Sequence, residues 1–530
     1  MSRNNVMTSF ENLVALANYR ETLRDARKMV WRDRGEPTVK LHTIEECLLH
    51  AARGGVRAGA MGFTLRSGFN FFVLLFRIWR MPKHFRFSLI RHALLGEDSF
   101  RFAAMLGTFA ALYKFILNSL PLLFPQRPRS TFSPDTPGTP YDELPVTMAP
   151  TPSERRRGRL SFRAQAHEEI WRKQSRKWYA LVAGAIAGGL GVLFEKKGRR
   201  VTIAQQLFVR GLQGSYNALS NRHKFKIPHG EALVFALSCG QIMYASLLRP
   251  DTLPPSYSQW IHNASHVPKA ALRMNQQMVR EGSFNFDDLK GLISLPFATP
   301  KNREILKERL INAQACADFG PHYATCDMIH PWLDSCIIVS FERILQVARW
   351  MLPVYGALHL VPAVLFKWKI FVKNPWHVLA RAALGTARSS AFLGVFVAIY
   401  QAFLCIKNNL IDLLLSPNSP LPFKLTKDWA NFLYLHNKPI YYIGGLLSGL
   451  SLFVEEKRRR GELAMYVLPK GLESAWIMAR GKGLVFRTGQ YGEALLCAIG
   501  MGLVMNTYQN DPQHLSGLVR RIMYQFIGPN

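Results

Sequence analysis

The hexapeptide Glu195-Lys196-Lys197-Gly198-Arg199-Arg200 closes an apolar, glycine-rich run. Glu455-Glu456-Lys457-Arg458-Arg459-Arg460 closes another, 455 − 195 = 260 residues later. The echo continues downstream. Arg210-Gly211-Leu212 answers Lys470-Gly471-Leu472 (470 − 210 = 260), and Gly230-Glu231-Ala232-Leu233 answers Gly492-Glu493-Ala494-Leu495 (492 − 230 = 262). Upstream, Leu106-Gly107-Thr108-Phe109-Ala110-Ala111-Leu112-Tyr113 answers Leu393-Gly394-Val395-Phe396-Val397-Ala398-Ile399-Tyr400. Solenoid and propeller periods run to roughly 20–50 residues. A repeat this long is a unit of several helices, as in many polytopic membrane proteins.

Hydrophobic residues make up 48% of the 530 positions and fall in blocks rather than evenly. The blocks approach the ~20 residues needed to cross a bilayer. Segments 55–79, 102–124, 178–194 and 230–248 read as spans in the first half, and 337–367, 389–413, 439–454 and 490–507 in the second. Segments 202–221 and 462–480 are more amphipathic, with Arg210 and Lys470 in mid-run. They either span inside a bundle or lie along the interface. The resulting fold class is all-α: a multi-pass membrane bundle of two homologous halves.

The net charge is +32, from 67 Lys+Arg against 35 Asp+Glu. Arginines flank the apolar segments, as at Arg77, Arg80, Arg86 and Arg91, Arg155 to Arg159, and the two hexapeptides. That placement points to a bilayer with anionic head groups as the partner. No zinc-finger, RNA-binding or basic-zipper signature points to nucleic acid. Because nearly every loop is basic, the Lys/Arg bias does not orient the spans. Seven cysteines, an odd number, are no secreted disulfide framework.

The organisation read from the chain is a charged, amphipathic arm over 1–40, a first membrane repeat over 41–248, an inter-repeat linker over 249–315, a second repeat over 316–510, and a tail over 511–530. The first repeat carries a Pro/Ser/Thr-rich loop at 124–160, of disordered composition. One amphipathic helix is expected in the linker, near 268–281. Acidic residues in the arm argue against a mitochondrial presequence, and the C-terminus is not the Ser-Lys-Leu peroxisomal address.

Small residues recur at helical spacing at equivalent points of the repeat. Gly184 and Gly188, with Ala185 and Gly189, match Gly444 and Ser448, with Gly445 and Gly449. Spacing of this kind lets helix backbones approach closely in lipid. Gly184, Gly188, Gly189, Gly445 and Gly449 are therefore packing positions, and Gly55 with Gly59 adds a third contact. Glu195 with Arg199, and Glu455 with Arg459, read as i, i+4 pairs, worth a few tenths of a kcal/mol if exposed. Arg210 with Glu231, and Lys470 with Glu493, are candidates for a polar path inside the bundle, the alternative being interfacial anchors.

Cys316, His322, Cys326, His330 and Cys336 crowd into the approach to the second half's first span, spaced C-x5-H-x3-C-x3-H-x5-C. Thiolate and imidazole are zinc ligands, but no short C-x2-C knuckle is present. A pre-span helix with small polarizable side chains is the expected reading, with no cofactor. The first half keeps only His42 and Cys47. Nucleophile-elbow, phosphate-loop and His-Glu-x2-His motifs are absent, so no enzyme is expected.

Taken together, these residues resemble the transmembrane protein 135 family. The likeness rests on Gly320-Pro321-His322 followed by Cys326, His330 and Cys336, on Ala391 through Tyr400, on Glu455 to Arg460, and on Gly492-Glu493-Ala494-Leu495. Leu248-Arg249-Pro250 with Ser256, Tyr257 and Trp260 adds to it. The chain is also distantly similar to the four-helix translocase-type proteins of the mitochondrial inner membrane. The resemblance implies a polytopic protein of peroxisomal or mitochondrial membranes, and the expected function is non-enzymatic. It further implies roles in lipid handling, peroxisomal metabolism and mitochondrial division, and the expected partners are a second copy of the chain or other organelle-membrane proteins. Family members carry more cysteines around the histidine motif, and the 124–160 loop is a departure. The rival expectation is a carrier or channel for an anionic lipid or metabolite, and a third is a membrane enzyme with a Cys/His metal centre.

Overall fold

The structure, a computed structural model, describes residues 41, 43–78, 82–124, 178–225, 227–366, 368–415 and 437–527. The arm over 1–40, His42 and nearly all of the 124–160 loop lie outside the described residues. Every regular element described is helical; among the described residues there is no strand. The chain forms two compact units, Met1–Phe225 with Thr488–Asn530, and Lys226–Arg487.

The first unit contains α1 (Ile44–Ile78), α2 (Lys83–Leu95), α3 (Glu97–Leu123), α4 (Trp178–Gly191) and α5 (Lys197–His223). Two helices from the far end of the chain join them, α17 (Gly492–Asn510) and α18 (Gly517–Ile527). Helix α1 packs on α3, α3 on α4, and α17 lies against both α4 and α5. Phe109, Tyr113 and Leu117 of α3, Tyr179 and Ala183 of α4, and Met501, Val504 and Met505 of α17 make one core.

The second unit repeats that plan with α12 (Cys336–Phe366), the short α13 (Trp368–Lys373), α14 (Pro375–Leu415), α15 (Pro439–Ser448) and α16 (Lys457–Gly481). Helix α12 packs on α14, and α14 on α15 and on the 3-10 turn Gly449–Val454. The helix closing this unit is α6 (Gly230–Leu248), which lies against α15 and α16. In sequence α6 follows α5, yet it belongs to the other unit. The closing helices are thus exchanged: α17 fills the α4/α5 groove and α6 fills the α15/α16 groove. The compact units therefore cut the chain differently from the sequence repeats, whose boundaries are 41–248 and 316–510.

Small residues make the two grooves. Gly189 faces Ala498 as Gly449 faces Ala236. Gly502 faces Ala185 as Gly445 faces Gly240, and Gly211 faces Gly500 as Gly471 faces Ser238. Gly184 and Gly188 sit under Met501 and Met505. Gly55 and Gly59 of α1 receive Gly107 of α3 in the same manner. A Cβ on Gly445 would stand 2.7 Å from the Cys239 carbonyl oxygen and 2.9 Å from the Gly240 Cα, and neither can move without parting α6 from α15. Gly445→Val is expected to cost about 1–3 kcal/mol. Gly461→Ala, with nothing within 4 Å, should be neutral or slightly stabilising. Thermal melts of the two variants in detergent check the contrast; equal melting temperatures would remove the close-packing argument.

Residues 249–315, read as a linker with one amphipathic helix, are a folded cluster. Helix α7 (Pro255–Ser265), α8 (Lys269–Glu281), α9 (Phe286–Ile293) and α10 (Pro300–Cys316) lead into the short α11 (Cys326–Ile329). Helix α8 is the expected one. Met274, Met278, Leu289, Leu292, Leu306 and Met328 form its shared core. Capping is local: the Asn285 and Thr299 side chains accept from Asp287 N and Asn302 N, starting α9 and α10. The stretch read as a tail likewise holds α18, which packs on α1 and α3.

Five helical stretches among the described residues are long and apolar enough to cross a bilayer: Ile44–Leu75, His84–Leu123, Gly230–Leu248, Cys336–Val364 and Pro375–Asp412. Trp178–Phe194 and Pro439–Val454 are apolar but shorter, and the 19-residue α17 is not among the five. The amphipathic segments 202–221 and 462–480 lie within α5 and α16, also outside that set.

Candidate functional site

The two hexapeptides adopt the same geometry. Each follows a 3-10 turn, Val192–Phe194 or Gly449–Val454, and begins with a carboxylate that is buried, not exposed: Glu195 is 1% and Glu455 3% accessible. Their value as surface i, i+4 pairs is therefore an underestimate, because an ion withdrawn from water depends on its partners. Arg199 Nη2 donates to Glu195 Oε1 at 2.7 Å, and Arg459 Nη1 lies 3.5 Å from Glu455 Oε1. The next arginine caps the preceding turn. Arg200 Nε and Nη2 donate to the carbonyls of Glu195 and Leu193, as Arg460 does to those of Glu455 and Phe453. The final carbonyls of a helix have no intrahelical partner, and a guanidinium fork satisfies two of them at once.

Around this shared frame the units differ. In the first, Lys196 and Arg199 also hold Asp98, at the start of α3. In the second, Ser389 Oγ donates to Glu455 Oε2 at 2.7 Å, and Arg459 Nη1 reaches Ser389 Oγ at 2.7 Å and His359 Nε2 at 2.9 Å. Neither Ser389 nor His359 carries a motif that sequence reading could find.

The proposed polar path takes a different form. Arg210 donates to Gln213 Oε1 at 2.9 Å, and Lys470 Nζ lies 3.3 Å from Glu473 Oε2, each one turn along its own helix. Glu231 and Glu493 occupy the first turns of α6 and α17, where a carboxylate suits the helix dipole. The exchange of closing helices puts Glu231 in the unit of Lys470 and Glu493 in that of Arg210. The reading that grouped Glu231 with Arg210 and Glu493 with Lys470 followed sequence order, which the packing does not.

The cysteine-histidine stretch resolves sharply. Cys326, His330 and Cys336 converge, joined by Cys405 from α14, with all four donor atoms within 4.8 Å of one another. Cys316 and His322, grouped with them by spacing, are exposed and outside the cluster. His330 Nδ1 lies 2.8 Å from the Leu333 carbonyl, so it carries the proton and leaves Nε2, 3.5 Å from Cys336 Sγ, with its lone pair toward the thiols. A hydrogen bond with Cys405, and then burial, raise the Cys326 pKa above the ordinary thiol range.

Beside the cluster, Trp332 helps line an open basin of about 1000 Å³. Arg343, 1% accessible, forms part of its wall, its guanidinium 4.2 Å from the Trp332 ring centroid. Its Nη1 donates to Gln346 Oε1, while its buried Nε has no hydrogen-bond partner. Lys269 and Arg273 add charge, Arg273 being held by Asp288. Burial pushes the imidazoles of His262 and His266 below their usual range, so both are neutral at pH 7.

No family model matches this chain, and neither the curated proteins nor the solved structures contain a match.

Proposed function

We propose that the chain is a polytopic integral-membrane protein of peroxisomal or mitochondrial membranes, built from two homologous halves. It acts without chemistry of its own, through membrane-protein partners, on lipid homeostasis and organelle organisation. The observation that carries the membrane assignment is apolar surface left uncovered. The most apolar windows of Ile44–Leu75 and Cys336–Val364 are 17% and 11% buried, against 56% and 61% for Gly230–Leu248 and Pro375–Asp412. Leu65, Phe69, Ile337, Phe341, Leu345 and Leu358 all stand exposed. Apolar patches of that extent on a helix mark a surface that water does not bathe. The exposed Lys197, Lys457 and Arg458 at the hexapeptides then suit anionic head groups. The organelle and the lipid role rest on the family resemblance. Carbonate extraction of organelle membranes, with protease protection of tagged loops, is the test. The intact protein should stay in the pellet of peroxisomes or mitochondria; release into the supernatant, or residence elsewhere, would overturn the respective part.

The basin favours a second reading, a carrier for an anionic amphiphile, because buried Arg343 and apolar Trp332, Trp350 and Leu292 share its lining. Uptake of a labelled long-chain carboxylate into proteoliposomes, lost in Arg343→Ala, would establish it. No uptake above empty liposomes leaves the first reading standing.

A further inference from the structure

We propose that Cys326, His330, Cys336 and Cys405 hold one structural zinc ion, which fastens the segment preceding α12 to the far part of α14. The donor set is three thiols and one imidazole, a combination typical of tetrahedral zinc. With Zn–S near 2.3 Å and Zn–N near 2.0–2.1 Å, the tetrahedral donors of such a set stand about 3.5–3.8 Å apart. The observed 3.5 Å between Cys336 Sγ and His330 Nε2 falls in that range, and the ceiling of 4.8 Å leaves the others a small rotation away.

The surroundings match a metal site as well as the donors do. The Leu333 carbonyl fixes the His330 tautomer from behind, the usual outer partner of a ligating imidazole. Asn409 Nδ2 points at Cys336 Sγ from 3.7 Å, a donor suited to a thiolate. Binding releases three thiol protons and leaves a single net negative charge on the centre. Lys407, buried with its ammonium 3.8 Å from the Tyr323 ring centroid and interacting electrostatically with Cys326, supplies a countercharge.

The scaffold is already braced for it. Asn408 Nδ2 donates to the Ala324 carbonyl at 3.0 Å, and Asn302 Nδ2 to the Pro331 carbonyl at 3.2 Å. Thr299 Oγ1 donates to Asp334 Oδ1 at 2.7 Å. Four protein donors leave no open position for water or substrate, so the site is structural rather than catalytic. It thus goes beyond the membrane reading and stands without it.

The test is metal analysis of the full chain, purified in detergent under reducing conditions without added chelator. About one zinc per chain is expected. Cys326→Ser with Cys405→Ser should lose it, whereas Cys316→Ser and His322→Ala should keep it. Because the double variant can misfold, the wild-type chain is also stripped at low pH and refilled with cobalt(II). Thiolate-to-cobalt charge-transfer bands and the intense visible bands of tetrahedral cobalt are expected. Monodisperse wild-type protein with no stoichiometric metal and no such bands would overturn the proposal. So would zinc retained in the double variant, or a disulfide between Cys326 and Cys405 in protein kept reduced.

Discussion

Ending the chain at residue 487 is expected to unfold its beginning and spare its middle. The deletion removes α17 and α18, which belong with α1 to α5 in one compact unit. Cys497, Met501, Val504, Met505, Tyr508, Leu515, Met523 and Ile527 all leave the core shared with Phe109, Tyr113 and Tyr179. Buried side chains of this size contribute roughly 1.5–3 kcal/mol each against water, while whole domains are stable by only about 5–15 kcal/mol. In lipid the loss is of close packing rather than of hydrophobic transfer, but the glycine faces of α4 and α5 would still lie open. The second unit keeps α6 in its α15/α16 groove and should be untouched. Limited proteolysis of a detergent-solubilised 1–487 chain checks this: new cleavage should appear within 178–223 and none within 439–481. Cleavage confined to the second region would show that each half is closed by its own helix, and protection of both would show that α17 closes neither groove.

That expectation could not have been formed from the sequence, and the reason is physical. The repeat reveals that 230–248 and 492–510 are equivalent, and that glycines at 184–189 and 444–449 prepare a groove for a helix. Because Ser238 answers Gly500 and Ala236 answers Ala498 at the same offset (500 − 238 = 262; 498 − 236 = 262), the sequence by itself assigns neither closing helix to a groove. Chain order favours the nearer groove, and only the three-dimensional contacts show the exchange. The hexapeptides were legible as charge at a helix end, but burial of Glu195 and Glu455 was not, because nothing local says which face of the turn the neighbouring helices cover. The cysteine-histidine cluster was half legible. Cys326, His330 and Cys336 stand within eleven positions of one another (326 to 336 inclusive). Cys405 lies 405 − 336 = 69 residues on, inside Phe403-Leu404-Cys405-Ile406, where a thiol reads as one more apolar side chain. The cluster over 249–315, apart from α8, was missed for another reason: its helices of 8 to 17 residues are short and charged, and their apolar faces meet only after the chain has turned.

Arg199→Ala should destabilise the protein by about 3 kcal/mol, the lower end of the cost of stranding one partner of a buried ion pair, because Arg199 itself is 31% accessible. Without Arg199, the 1% accessible Glu195 keeps the backbone N–H of Lys196, which donates to its Oε1 at 2.9 Å. Arg459→Ala should cost less, roughly 1–3 kcal/mol, because Glu455 retains the Ser389 hydroxyl on Oε2 and Glu456 N on Oε1. Asp98 makes the first case worse, since it too loses Arg199, at 3.3 Å. Mere loss of side-chain packing would give a similar sign, so the discriminating measurement is a double-mutant cycle. Glu195→Gln removes the buried charge while keeping shape and hydrogen-bonding capacity. In the Arg199→Ala background it should restore part of the lost stability, whereas in the wild-type background it should reduce stability. If Glu195→Gln lowers the melting temperature equally in both backgrounds, the two residues are not energetically coupled. The repeated hexapeptide would then mark the edge of a helix and nothing more.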